Sequence, residues 1–233
     1  MEAQDTTYSY TPLDKTTKEI RLLHLHPTNG TSNEPPAPDI IRCTFSLADL
    51  DDYSDHRLDV YSDPHLDTLF SSENPSKPFE ALSYAWGDAK DRTLIDLDGH
   101  AFPVTKTLYS ALAHLRLLDE ERIIWADALC INQGDTNERE NQVAMMQFIY
   151  ARASRVVVFL GEAFEGCDAA MDMMEMMAED PHLHYNPTIE PRVVSRGMDF
   201  SYEELLSSVA QFYSFPWWVR NTYICSLPRN YEC

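Results

Sequence analysis

The spacing of apolar residues changes character twice in the middle of the chain. Ile123, Ile124, Trp125 and Ala126 form a short continuous apolar run, and residues 156–160 form a second one, rich in valine. Between them lie a polar turn and a segment of helical period, expected over 137–153, in which Val143, Met146 and Tyr150 recur at three- and four-residue spacing. Buried strand, helix, buried strand is the pattern of a βαβ unit in a parallel sheet. The helix is expected to pack Val143, Met146 and Tyr150 on the sheet and to carry Glu138 and Gln142 on a separate polar strip.

The same reading extends outward from this unit. Residues 1–18 are polar and without period, which predicts a loosely attached arm. Residues 19–25 read as a strand, a linker rich in Pro, Asn and Gly follows, and residues 40–47 read as another strand. The acidic stretch 49–78 reads as surface loop with a helical turn or two. From Phe79 a β-compatible run leads to Gly87, whose missing side chain permits a sharp exit. Asp98-Gly99 between residues 93–97 and 100–104 is a hairpin signal. Thr105 is placed to cap a helix with Leu108, Ala111, Leu112, Leu115 and Leu118 on one face. A methionine-rich helix is expected over 169–177, with Met171, Met174 and Met177 in step as core or as an adaptable partner surface. Ser201 with Glu204 predicts a capping box opening a last helix that runs to Phe212 and ends at Phe215-Pro216-Trp217-Trp218.

Charge and composition narrow the function classes. The chain has 233 residues, with 18 basic against 38 acidic and a formal net charge of -20. That charge repels a phosphate backbone, so no nucleic-acid partner is expected. No apolar run approaches the ~18 residues of a membrane span, and the N-terminus lacks the pattern of a signal peptide, so a cytoplasmic location is expected. The 5 cysteines are scattered without a C-x-x-C pair and read as reduced thiols. Asn29-Gly30-Thr31 matches a glycosylation sequon but reads as loop in that setting.

Candidate chemistry gathers at the strand ends, where open α/β sheets place their ligands. Asp127 and Glu138 are the candidate catalytic carboxylates. Asp127 can orient a hydroxyl or a water, or bond the loop amides after its strand. Glu138, three residues after Asp135, reads first as part of a helix cap. Asn132 and Gln133 suit an amide or sugar ligand as well as they suit a turn. Tyr84, Trp86 and Asp88, near the end of another strand, are expected to line the same crevice as Asp127, Asn132 and Gln133. Cys130 is set aside as a nucleophile because no histidine lies near it in sequence and free cysteine is usually buried. His24 with His26, and His182 with His184, have alternate spacing without an accompanying ligand set, so no metal site is expected. With 7 glycines and no glycine-rich phosphate motif, a phosphate-cradling loop is not expected either.

Four blocks carry a family likeness: Tyr10, Pro12 and Leu13 with the following EIRLL; ALSYAWGD from Ala81; WADALCINQGDTNERENQVAMMQFIY from Trp125; and PWWVR from Pro216. On these the chain resembles the HET domain of fungal heterokaryon-incompatibility proteins. The resemblance implies an α/β fold with a mainly parallel central sheet flanked by helices, TIR-like or flavodoxin-like, with an N-terminal β addition. It implies a HET-like domain over 19–220 with an insertion at about 162–215, and a divergent or truncated tail at 221–233. It further implies an intracellular module of allorecognition and programmed cell death, acting through self-association or protein partners. The alternative it carries is a TIR-like NAD hydrolase, or a nucleotide-sensing domain without turnover. No cofactor is expected, and NAD enters only under that TIR-like reading. One departure bears on the chemistry: the family continues its tryptophan block as R-x-W-x-x-Q-E, whereas here Arg220 is followed by Asn221, Thr222 and Tyr223.

Overall fold

The computed structural model describes residues 8–28, 40–53, 77–179, 193–195 and 198–220. Residues 1–7, the sequon at Asn29, most of the acidic stretch, His182, His184, Cys225, Cys233 and the tail at 221–233 lie outside them. The chain divides into two units, one reaching Phe159 and the other spanning Leu160–Cys225.

The first unit is built on one seven-stranded sheet. Its strands are β1 (Glu19–Leu25), β2 (Arg42–Asp49), β3 (Glu80–Tyr84), β4 (Arg92–Leu97), β5 (His100–Thr105), β6 (Arg122–Trp125) and β7 (Arg155–Phe159), in the spatial order β5-β4-β2-β1-β6-β3-β7. Three helices accompany it: α1 (Lys106–Leu115), the single turn α2 (Asp127–Cys130) and α3 (Thr136–Arg152).

The sheet is mixed rather than mainly parallel. β2 with β4, β3 with β6 and β3 with β7 run parallel, while β1 with β2, β1 with β6 and β4 with β5 run antiparallel. The parallel part is the βαβ region: β6 and β7 flank β3 and run in its direction. The N-terminal strands are no marginal addition, because β1 is the middle strand. Ile20 and Leu22 on one face and Arg21, Leu23 and Leu25 on the other are all buried, and a strand covered on both faces belongs inside a sheet.

Local chemistry explains the elements. At the β4–β5 hairpin both Asp98 (φ 52) and Gly99 (φ 79) take the left-handed backbone that a two-residue turn of matching twist requires. Asp98 also accepts a bond from the Phe45 amide at 3.1 Å and from the Tyr8 hydroxyl at 2.7 Å, tying the turn to β2. β5 contains Pro103, which cannot donate to a ladder and is tolerated because β5 is an edge strand. Thr105 caps α1 by accepting from the Leu108 amide at 3.3 Å, and Leu108, Ala111, Leu112 and Leu115 are buried. Leu118 does not join that face, since α1 ends at Leu115 and Leu118 is exposed. Residues 8–18 are anchored rather than loose: Tyr8 packs on Phe45 and Phe102, and the Tyr10 hydroxyl donates to the Leu129 carbonyl at 3.0 Å.

The largest departure from the apolar pattern concerns α3. Val143 is 54% exposed, whereas Glu138 and Gln142, expected on a separate polar strip, are buried with Ile149 and Tyr150. The reason is Arg21, which is 1% exposed on β1 and faces α3. Its Nη2 donates to Glu138 Oε2 at 2.9 Å, its Nη1 donates to Glu138 Oε1 and, at 3.1 Å, to the Cys130 carbonyl, and the guanidinium stacks 4.9 Å from the Tyr10 ring centre. One turn on, Gln142 Nε2 donates to the Glu19 carbonyl at 3.0 Å. A helix face can be polar and buried when the strand beneath it supplies matching groups.

Opposite charges also fasten the start of the parallel strands. Glu80, the first residue of β3, accepts from Arg122 Nε at 2.7 Å on β6 and from Arg155 Nε at 2.8 Å on β7. In the second unit, α4 (Cys167–Glu179), a ribbon of β8 (Val193–Ser195) and β9 (Met198–Phe200), α5 (Tyr202–Tyr213) and α6 (Pro216–Arg220) are described. Ala169 and Met173 pack with Leu205, and the Ser201/Glu204 capping box opens α5. The Pro216 block forms the short helix α6 after α5 has ended.

Breaking the Arg21–Glu138 pair leaves a guanidinium in the interior without its counter-charge. Glu138→Leu is expected to cost roughly 3–5 kcal/mol in urea unfolding, and Arg21→Met combined with Glu138→Leu to recover most of that loss. A double variant no more stable than the single one would contradict this account.

Candidate functional site

The site stands where β3 and β6 end. They run parallel with Ala81 opposite Trp125, so the chain leaves both at the same end of the sheet. After β3 it passes Trp86 and turns at Gly87; after β6 it enters α2 at Asp127. Gly87 has a φ of 73°, and a Cβ there would lie 2.2 Å from the Thr107 hydroxyl oxygen of α1, so only glycine brings the strand exit this close to the helix.

Trp86 and Asp127, which are 41 residues apart, are joined directly. The indole Nε1 donates to Asp127 Oδ2 at 2.9 Å, and Asp127 Oδ1 accepts from the Ala128 amide at 2.7 Å. Burial raises the Asp127 pKa above its ordinary value, while the bonds from Trp86 and Ala128 and the nearby Tyr84 hydroxyl oppose that rise. Tyr84 is buried, and burial together with the Asp127 charge pushes its phenol well above the usual range. Its hydroxyl oxygen is buried and makes no well-formed hydrogen bond, although the Asp127 carboxylate lies near it.

Beside this pair lies a cavity of about 380 Å³. Tyr84, Trp86, Asn132 and Gln133 line it, as do Tyr10, Phe102 of β5, Arg92 at the start of β4 and Arg139 of α3. Asp127 reaches it through Trp86 and is not itself on the wall. Asn132 and Gln133 also have turn duties: Asn132 Oδ1 accepts from the Gly134 amide at 3.1 Å, and Gln133 Nε2 donates to the Asp127 carbonyl at 3.0 Å. Asp88 stands apart, with its carboxylate accepting from the Lys90 amide at 2.9 Å in the turn before β4.

Glu138 is committed to structural bonds, although it also borders a second cavity of about 380 Å³ between the N-terminal segment and α3. Besides Arg21 it accepts from the Asn132 amide at 2.7 Å, so it holds the loop that carries Asn132 and Gln133. The helix cap itself is Asp135, which accepts from the Asn137 and Glu138 amides. Cys130 is fully buried, and its thiol is pushed up to about 12 by burial, which suits an inert core position. His24 lies 2.8 Å from Glu121 and 2.7 Å from the Ser46 hydroxyl, in a polar cluster on β1 and β2. Among the described residues no group of three or more His, Cys, Asp or Glu is placed to hold a metal ion.

Arg92, Arg139, Tyr10 and Phe102 are wall residues that lie outside the expected site set. Nothing in their local pattern marks them, because they meet only when the β4–β5 hairpin and the N-terminal segment come together over the α2–α3 loop. Tyr10 and Arg139 do carry a signal, as parts of the first and third family blocks.

The family model for heterokaryon incompatibility protein (HET) matches residues 79–221, which include β3, β6, α2, α3 and β7. The chain belongs to the HET family. A curated relative, heterokaryon incompatibility protein 6, OR allele, of Neurospora crassa, is 33% identical over 139 aligned positions, covering 54% of this chain and 20% of the relative. The HET chain thus spans about a fifth of that relative's length. No solved structure matches it. No helix among the described residues is long and apolar enough to cross a membrane.

The raised pKa of Asp127 gives a signed expectation. Stability that depends on its protonated form is present below the ordinary carboxyl value and is lost as pH rises through the folded value. Asp127→Asn, which stays neutral and can still accept from Trp86, is therefore expected to gain melting temperature relative to the wild type as pH rises from about 3 to 7. Paired thermal melts across that range check this, and an offset independent of pH would contradict it.

Proposed function

We propose that the chain is a heterokaryon-incompatibility module that acts through self-association or protein partners in the cytoplasm, without turning over NAD. What supports the incompatibility role is the HET match over residues 79–221, together with the relative whose name carries that role. In this reading residues 19–220 form the HET-like domain and 162–215 an insertion in it.

The state of the two carboxylates supports the non-enzymatic half. Cleaving a glycosidic bond to nicotinamide builds positive charge on the ribose, and a carboxylate free to face that charge is what lowers the barrier. Glu138 is spent on Arg21 and the Asn132 amide, in the interior. Asp127 is bound by Trp86 and Ala128 and does not line the cavity wall. A strongly acidic surface favours basic partners and disfavours anionic ones over most of the molecule.

The purified chain is expected to release no nicotinamide from NAD and to increase in mass with concentration in light scattering, alone or with an added partner. Release abolished by Asp127→Ala or Glu138→Ala, in variants shown folded by circular dichroism, would overturn this reading in favour of the hydrolase.

A further inference from the structure

We propose that the cavity beside Trp86 binds a small molecule consisting of a planar ring and an oxyanion, with the ring against the aromatic wall and the oxyanion reached by Arg92 and Arg139. The inference goes beyond the signalling role above and does not depend on it.

Three independent observations carry it. The first is the sign of the wall. The chain has 38 acidic residues, yet among the described residues the cavity lining contains no Asp or Glu and two arginines. Most basic side chains described in this unit are paired: Arg21 and Arg122 with Glu138 and Glu80, Lys18 with Asp51, and Lys106 with Asp91. Arg92 donates only its Nε, to the Ala89 carbonyl at 2.8 Å, and Arg139 makes no side-chain hydrogen bond or ion pair among the described residues. Guanidinium groups present a planar set of donors that fits phosphate or carboxylate.

The second is the Tyr84 hydroxyl. Tyr84 is 7% exposed and lines the cavity, and its oxygen makes no well-formed hydrogen bond. The nearby Asp127 carboxylate, already held by Trp86 and Ala128, makes no well-formed bond with this hydroxyl, so an acceptor in the adjoining cavity would satisfy a costly buried donor. The third is the wall itself. Trp86 is 39% exposed although its indole nitrogen is already fixed by Asp127, so one ring is held rigidly with part of its surface open. Phe102 completes an aromatic surface, and a volume of about 380 Å³ suits a ring of nucleobase or naphthyl size with one anionic group.

Titration calorimetry on the whole chain tests this with four probes: AMP and 1-naphthoate, which pair a ring with a phosphate or a carboxylate; adenosine, which has the ring alone; and inorganic phosphate, which has the anion alone. AMP or 1-naphthoate, or both, is expected to bind roughly tenfold or more tightly than either half-probe, and the better of the two identifies the oxyanion. Arg92→Gln with Arg139→Gln, both at exposed positions, is expected to lower that affinity roughly tenfold or more while leaving the melting temperature unchanged. Tyr84→Phe is expected to weaken binding severalfold while raising or preserving stability, because it removes an unsatisfied buried hydroxyl. Arg42→Gln, outside the cavity, is the control and should change nothing. Failure of both composite probes to bind, or binding indifferent to the arginine pair, overturns the proposal.

Discussion

The interior of the first unit depends on one buried ion pair. Arg21 lies on the middle strand of the sheet and Glu138 on the helix above it, and the guanidinium also holds the Cys130 carbonyl and stacks on Tyr10. A single side chain therefore joins the N-terminal segment, β1, the end of α2 and the first turn of α3. Such a pair gains little over a well-packed apolar alternative, because two charges must be taken from water, but it tolerates only one register. Sliding α3 by one residue would turn Glu138 away from Arg21 and leave both charges buried without partners. The pair sets the position of α3, and α3 sets the position of the loop that carries Asn132 and Gln133.

The two ends of the parallel strands do different work. At the beginning, Glu80 sits between Arg122 and Arg155, a three-strand charge arrangement that aligns β6, β3 and β7. At the far end the same alignment brings Trp86 to Asp127. The indole bond restrains a large aromatic that is partly open to solvent, and the contact of Gly87 with Thr107 fixes the chain just after it. An acid in this setting works better as an anchor for a neighbouring ring than as a free base, since its oxygens are occupied and its charge is disfavoured by burial.

These restraints give the HET family blocks a physical meaning. The ALSYAWGD block supplies a strand, the anchored tryptophan and the glycine turn; the WADALCINQGDTNERENQ block supplies the acid that holds the tryptophan, the turn residues and the glutamate that meets Arg21. The first block contributes Tyr10, whose ring covers the guanidinium. Residues from different blocks complete one another's bonds in this chain, Trp86 with Asp127 and Arg21 with Glu138. Against an overall charge of -20, the wall with Arg92 and Arg139, free of acids among the described residues, is a local exception.

Much of the local structure was legible in the residues alone. The strands of the first unit, the hairpin at Asp98-Gly99, the Thr105 cap, the Ser201 capping box and the near-neighbour relation of β6 and β7 follow from period, turn chemistry and capping, which act over a few residues. The adjacency of Trp86 and Asp127 was legible too, since both leave strands of the βαβ region at the same end. Other features were decided only by tertiary structure. The mixed sheet, the central place of β1, the exposure of Val143, the burial of Glu138 and Gln142 and the convergence of Arg92 and Arg139 all depend on partners far away in the chain. Period assigns polar residues to the solvent face by default, and Glu138 escapes that default because one buried arginine, 117 residues earlier, supplies its counter-charge. The sequence by itself determined where the strands and longer helices of the first unit form, because those preferences are local; the short elements α2, β8, β9 and α6 were not legible, and which faces are buried was settled by the strand pairing that places Arg21 beneath α3.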